Sequence, residues 1–310
     1  MTKLSATAMD IVNCPPNLIP PETFISLIED KLKNTDYKVS VYRANDLADM
    51  SCGSLLAFGS GSKNSPALVK IESSNPSGLH IIAEGTIVEL GGLQLIPRSS
   101  TINTKVGKAG AAIAVETLVS SSSAATFWIP LAENIPSQGA ARPGDVVTLP
   151  NGFTIEALEL KAEGHLALFD AYVLAAEDGA EKIISISSCD PIQNVAVGHL
   201  YSTIIGNEPA VTQLVDAAKK ANEKVWPLPL SEFAAEAVKS EIADTANAAA
   251  KVAPMLANCS VFQTVLDNCD NTPHWAHWDL GTASYHHEKY SDQTGATGHG
   301  AATLKELVAN

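Results

Sequence analysis

The 310-residue sequence predicts an α/β fold: a three-layer α/β/α sandwich around a mostly parallel central sheet. Three observations predict it. Residues 126–131 and 182–188 are continuous apolar runs, as strands buried on both faces are. Strand-like and helix-like stretches alternate along the chain. Finally, 45% hydrophobic and 17% charged residues is the balance of a globular chain long enough to bury a sizeable core.

Taken in order, residues 10–24 carry Pro15, Pro16, Pro20 and Pro21, which forbid one continuous helix and mark an ordered linker. Residues 25–32 have helical spacing, and 37–43 alternate as a strand does. Short strands are expected at 54–58 and 67–71, flanking the Gly/Ser loop 59–66; that loop precedes Pro66 and a strand, not a helix N-terminus, so it reads as a turn and not a phosphate cradle. Residues 79–89 read as a strand pair followed by Gly91-Gly92, and 106–119, rich in Gly and Ala, as a helix packed closely on a sheet. Helices are expected over 209–222, over 231–251 with Ser231 as N-cap, and over 255–268; Trp275–Leu280 is strand-like. The stretch 155–166 reads as a strand, a bend at Gly164 and the start of a buried helix. It leaves Lys161, Glu163 and His165 at a strand's carboxyl end, where open α/β sheets build their sites.

Composition excludes several function classes. A net charge of -14 with three arginines (Arg43, Arg98, Arg142) argues against phosphate-backbone binding, so no nucleic-acid partner is expected. No window approaches the roughly 20 apolar residues of a membrane span, and the N-terminus lacks a signal-peptide core. The five cysteines (Cys14, Cys52, Cys189, Cys259, Cys269) form no CxxC, which suits a reducing compartment. An intracellular, cytoplasmic location is the default expectation, with an organelle such as the mitochondrion left open.

The same residues carry a resemblance. Glu159-Leu-Lys-Ala-Glu-Gly-His-Leu166, together with Arg142-Pro-Gly-Asp145 and Glu133-Asn-Ile-Pro136, resembles the signature region of the leucine (cytosol) aminopeptidase family, whose signature reads Asn-Thr-Asp-Ala-Glu-Gly-Arg-Leu. The likeness extends to Ala83–Pro97, to Lys105-Val-Gly-Lys-Ala-Gly-Ala-Ala112, to Trp226-Pro-Leu-Pro-Leu230, to residues 243–247 and 295–300, and to His277-Trp-Asp-Leu-Gly-Thr-Ala283. It implies that family's catalytic-domain fold, with a mixed and mostly parallel sheet. On this reading residues 1–24 are a Pro-rich linker segment, residues 25–310 one aminopeptidase-like α/β/α domain, and the family's N-terminal domain is absent.

The resemblance also implies a site, and most of its chemistry has changed. The family is a two-metal exopeptidase with five ligand positions. These fall on Glu84 (a lysine in the family), Glu89 (an aspartate), Gly107 (an aspartate), Lys161 (an aspartate) and Glu163 (retained). The two catalytic positions fall on Ile96, replacing a lysine, and His165, replacing an arginine. Holding two ions about 3.5–4 Å apart takes several hard oxygen ligands. Glycine offers none, and an ammonium repels a dication. The expectation is therefore a catalytically inactive homologue with no metal and no catalytic residue, in which Lys161 is an internal cation for Glu163, Glu89 and Glu84. It would act as a structural or assembly subunit of a homo-oligomer (trimer or hexamer) or of a larger protein complex. The alternatives are a divergent aminopeptidase keeping one divalent ion, zinc or manganese, on Glu84, Glu89, Glu163 and His165, or a peptide-binding module. The His274-x-x-His277 pair lies in a strand pattern, so His277 and Asp279 are assigned structural roles. Cys189 reads as a buried, inert thiol, and no Gly-x-Ser-x-Gly elbow supports a serine hydrolase.

Overall fold

In the computed structural model of the protein, residues 7–88, 104–160, 164–188, 197–230, 232–249, 254–286 and 294–309 are described. Strand alternation divides its core in two. In β3 (Leu79–Ala83), Ile81 and Ala83 face one side and Ile82 the other; in β5 (Thr126–Asn134), Phe127, Ile129 and Leu131 face the first side and Trp128 and Ala132 the second. In β8 (Lys182–Ser187) Ile184 and Ile186 face the first side and Ile183 the second. Strands apolar on both faces must be covered on both, and they are.

The first face is covered by α1 (Ala8–Asn13), α2 (Pro21–Leu32), α5 (Ala109–Ser120), α7 (Glu208–Ala221) and α10 (Ala301–Val308). The second is covered by α3 (Ala44–Asp49), α4 (Gly53–Gly59), α6 (His165–Glu177), α8 (Glu232–Ala237) and α9 (Pro254–Leu266). The remaining strands are β1 (Lys38–Tyr42), β2 (Ala67–Glu72), β4 (Gly85–Val88), β9 (Ser202–Gly206), β10 (Val225–Pro227) and β12 (His274–Asp279). The main sheet runs β1-β2-β5-β3-β8-β12-β9-β10, with β4 also paired to β5. Its centre, β5-β3-β8-β12, is parallel, while β1, β2 and β9 pair antiparallel with their neighbours towards the centre. The predicted mixed, mostly parallel three-layer sandwich is the fold. A small second sheet joins β6 (Asp145–Thr148), β7 (Thr154–Ala157) and β11 (Thr245–Ala246). No helix among the described residues is long and apolar enough to cross a membrane.

Two expectations fail on tertiary grounds. Residues 54–58 are not a strand but the body of α4, because the buried Asp170 carboxylate on α6 accepts the Leu55 N–H at 2.8 Å and caps that helix from outside. The helix expected over 231–251 stops at Ala237. Ser240 turns to Glu156 (2.5 Å), its hydroxyl accepts the N–H groups of Ile242 and Ala243, and Thr245–Ala246 pairs with β7 instead. The linker 10–24 is partly helical: α1 begins before it, a short 3-10 turn covers Pro16–Leu18, and Pro21 is the first residue of α2, where its missing N–H costs nothing. Ser231 and Gly91-Gly92 lie outside the described residues.

Candidate functional site

The carboxyl ends of β3, β8 and β12 lie side by side, since Ala83 pairs with Ile186 and Ser187 with Asp279. Against this edge the second sheet delivers the start of α6. Asn247, just after β11, holds the exit of β7: its side-chain oxygen accepts the N–H groups of Leu158 (2.8 Å) and Glu159 (3.1 Å), and its amide donates to the Glu159 carbonyl (2.6 Å). The chain then enters α6 through Gly164, with His165 as the first helical residue. From His165 to Ala176 only Leu174 is not buried, so this helix end is fixed on all sides.

His165 points at β12. Its Nε2 lies 3.1 Å from Nε2 of His277, with the two rings nearly perpendicular at 89° and their centroids 4.6 Å apart. His277 is held twice more, by Ser185 Oγ at 2.6 Å from Nδ1 and by Ser187 Oγ at 3.0 Å from Nε2. Ser185 and Ser187 lie two apart on β8 and so share a face. Ser185 Oγ is also 2.6 Å from the hydroxyl of Tyr172, one and a half turns or more along α6 from His165. Phe262 of α9 stacks on His277 (4.9 Å, 26°) and meets His165 edge-on (5.2 Å, 72°). One turn earlier on the same helix, Cys259 completes the group: its Sγ and one nitrogen from each imidazole all lie within 4.8 Å of one another, and all three residues are buried. Burial, and secondarily the neighbouring His165, hold His277 well below the ordinary histidine range, so it is neutral at pH 7.

A second polar group lies between β3 and β4. Glu84 is 2% exposed although it carries a carboxylate. One oxygen accepts the Thr86 hydroxyl and the other the backbone N–H of Ser188 at 3.3 Å. Gly107 packs on the same Thr86: it accepts the Thr86 N–H at 3.0 Å, and a Cβ at position 107 would lie 2.7 Å from the Thr86 carbonyl oxygen and 2.8 Å from its hydroxyl. No side chain fits there without moving backbone.

Of the residues singled out in the sequence, Glu84, Gly107, His165, His277 and Asp279 are placed. Glu89, Ile96, Lys161, Glu163 and Cys189 lie outside the described residues. Asp279 is buried and accepts the Gly281 N–H at 2.9 Å, a turn-forming role. His277 joins His165, and that convergence was not expected. Sequence reasoning also missed Cys259, Ser185, Ser187 and Tyr172. The one available signal was Ser185-x-Ser187 inside an otherwise apolar central strand, which places two hydroxyls on one buried face.

The profile of the cytosol aminopeptidase family, catalytic domain, matches residues 6–305. The chain belongs to the cytosol aminopeptidase family. It is 35% identical to a probable cytosol aminopeptidase of Clavibacter michiganensis over 251 residues, covering 78% of this chain and 50% of the relative. A second probable cytosol aminopeptidase, from Micrococcus luteus, is 30% identical over 318 residues, covering 96% of this chain and 62% of that one. This family member thus spans about half to three-fifths of the length of these curated relatives. Among solved structures, the bottromycin maturation enzyme BotP in complex with Mn superposes with a TM-score of 0.86 at 26% identity, covering 97% of this chain and 68% of that one.

The cytosol aminopeptidase family is metal-dependent, so the described residues can be tested against a two-ion centre. They do not fit it. Gly107 has no side-chain donor and no room for one, and the Glu84 oxygens are engaged by Thr86 and Ser188 in a closed corner of the fold. Glu84 does not belong to the His165–Cys259–His277 group either, whose nitrogen and sulfur donors are a different chemistry from the oxygen set that two-ion hydrolysis uses.

Proposed function

We propose that this member of the cytosol aminopeptidase family is non-catalytic and serves as a structural or assembly subunit, in a homo-oligomer or in a larger protein complex. One observation carries the reading: at Gly107, where an aspartate would bind metal in the family, the backbone of Thr86 fills the space a side chain would need. Without that ligand a two-ion site loses a charge and a coordination position, and with them the acidified water and the clamp on the developing oxyanion. Lys161 supports the same reading from the sequence, as an ammonium at a second aspartate position beside the retained Glu163. Intracellular placement and trimeric or hexameric assembly belong to this proposal.

Two measurements on the purified chain test it. A leucine-anilide assay with added manganese or zinc is expected to show no turnover above the blank. Light-scattering mass in solution is expected to give a multiple of the chain mass, or a monomer that shifts on adding the native partner. Turnover that vanishes in Glu163→Ala would overturn the proposal and favour a divergent aminopeptidase with one ion on the oxygen-rich side of the site.

A further inference from the structure

We propose that His165, Cys259 and His277 form a buried structural metal site for one zinc or cuprous ion, built on a donor set other than the oxygen ligands of the family's hydrolytic centre. The Nε2 atoms of His165 and His277 lie 3.1 Å apart. Two nitrogens bound to one tetrahedral zinc at roughly 2.0–2.1 Å lie a little over 3 Å apart, so the imidazoles already stand at ligand spacing. In the metal-free chain the same spacing allows one shared proton, which an ion would replace. The Cys259 sulfur comes from a third element, α9, and the three donor atoms lie within 4.8 Å of one another. Each donor sits on regular structure, at the head of α6, inside α9 and in the middle of β12, and such elements hold a ligand more closely than loops do.

The surroundings supply what a metal-bound histidine needs. Nδ1 of His277 faces Ser185 Oγ at 2.6 Å, and that oxygen faces the Tyr172 hydroxyl at 2.6 Å. When Nδ1–H donates to Ser185 and Ser185 donates to Tyr172, Nε2 presents its lone pair to the ion, the orienting arrangement that metal-bound imidazoles use. Phe262 packs on both rings and restrains them. The donor set selects the ion. Two imidazoles and a thiolate, with no carboxylate joining them among the described residues, suit zinc or copper and not the hard ions that carboxylate sites take. A thiolate with cuprous copper leaves no net charge in a dry core, and with zinc a single positive charge. Burial shuts the ion away from substrate, so its effect is to pin α6, α9 and β12 together and not to hydrolyse peptides.

The test uses the full chain purified without chelator, with zinc and copper measured by mass spectrometry, then stripped and titrated with cobalt(II) and with copper(I) against a chromophoric chelator. The expected result is one ion per chain, a thiolate-to-cobalt charge-transfer band in the near ultraviolet, and a rise in Tm on adding zinc or copper(I). The band is expected to disappear in Cys259→Ser and to survive in Cys269→Ser. His165→Gln is expected to weaken zinc or copper(I) binding by at least tenfold while its stripped form still melts cooperatively near the stripped wild type. The proposal is overturned if wild type shows no thiolate band and does not compete for copper(I), or if the band persists in Cys259→Ser. An ion retained in Cys259→Ser but lost in Glu163→Ala also overturns it, and points to the oxygen side of the old cleft. Leucine-anilide turnover, scored separately, bears only on the non-catalytic reading.

Discussion

Two corners of this molecule, both at the carboxyl edge of one parallel sheet, have gone opposite ways. Around Glu84 and Gly107, where the resemblance would put an aspartate at 107, the fold is closed: Thr86 occupies the space a side chain would need, and hydrogen bonds from Thr86 and Ser188 engage the Glu84 carboxylate. Around His165, where the resemblance would put an arginine, an imidazole meets another imidazole and a thiol. Losing a ligand is cheap where backbone can settle into the gap, since packing and hydrogen bonding replace what coordination supplied. The histidine that His165 meets is itself held by the hydroxyls of Ser185 and Ser187, with Tyr172 behind Ser185, because an unsatisfied imidazole in a dry core is costly.

The largest effect that sharpens this contrast is one of pH, and it belongs to the imidazole side. Asp170 lies on the same helix as His165; burial, only partly offset by the N–H of Leu55 and the backbone and hydroxyl of Ser54, pushes its carboxyl up to about 7. A folded-state value above the unfolded one means that its contribution is fully present below the unfolded value near 3.8 and is lost as pH rises through about 7. Urea unfolding should therefore show wild type losing about 2–3 kcal/mol relative to Asp170→Asn between pH 5 and pH 8. His277 has the reverse sign: its depressed value gives stability that is present above about 6.5 and lost as pH falls. Parallel stability profiles for wild type and Asp170→Asn over pH 5–8 would show that α6 does not hold this carboxyl in a dry site.

The closed corner makes its own prediction. Gly107→Ala should destabilise the chain by about 1–3 kcal/mol, because its Cβ must displace the Thr86 backbone carbonyl and not a flexible side chain. A neutral result in thermal or urea unfolding would mean that the gap is soft and that a side chain at 107 can be accommodated.

The sequence made the sheet easy to read and the site hard, for a physical reason. Residues 126–131 and 182–188 could be little else than doubly buried strands, and the apolar faces of α5 and α6 follow from their small, continuous hydrophobic letters. Residues 54–58 were misread because the short apolar run Leu55–Phe58 has no period of its own, and the helix there depends on a carboxylate 115 positions away. The Ala-rich stretch after 237 follows helix propensity until Ser240, Asp244 and β7 outbid it with tertiary hydrogen bonds. The position of His165 was legible because it belongs to a motif. Its partners were not: His277 is 112 residues distant, and Cys259 lies in a helix whose letters announce only a core.

The smallest effect discriminates best between a hydrogen-bonded histidine pair and a metal site. Ser187 Oγ lies 3.0 Å from the same Nε2 of His277 that faces His165, so in the stripped protein the hydroxyl and His165 compete for one lone pair. Ser187→Ala removes the hydroxyl without replacing any proposed ligand. If the pair is only hydrogen-bonded, the variant should lose about 1 kcal/mol in urea unfolding, and added zinc or copper(I) should change nothing. If an ion binds, the stripped variant should show that same loss, while its apparent affinity for the ion rises by up to about fivefold because no hydroxyl has to be released first. A fall in affinity on losing Ser187 would instead make its oxygen the fourth ligand, and would move the centre of the site from α9 towards β8.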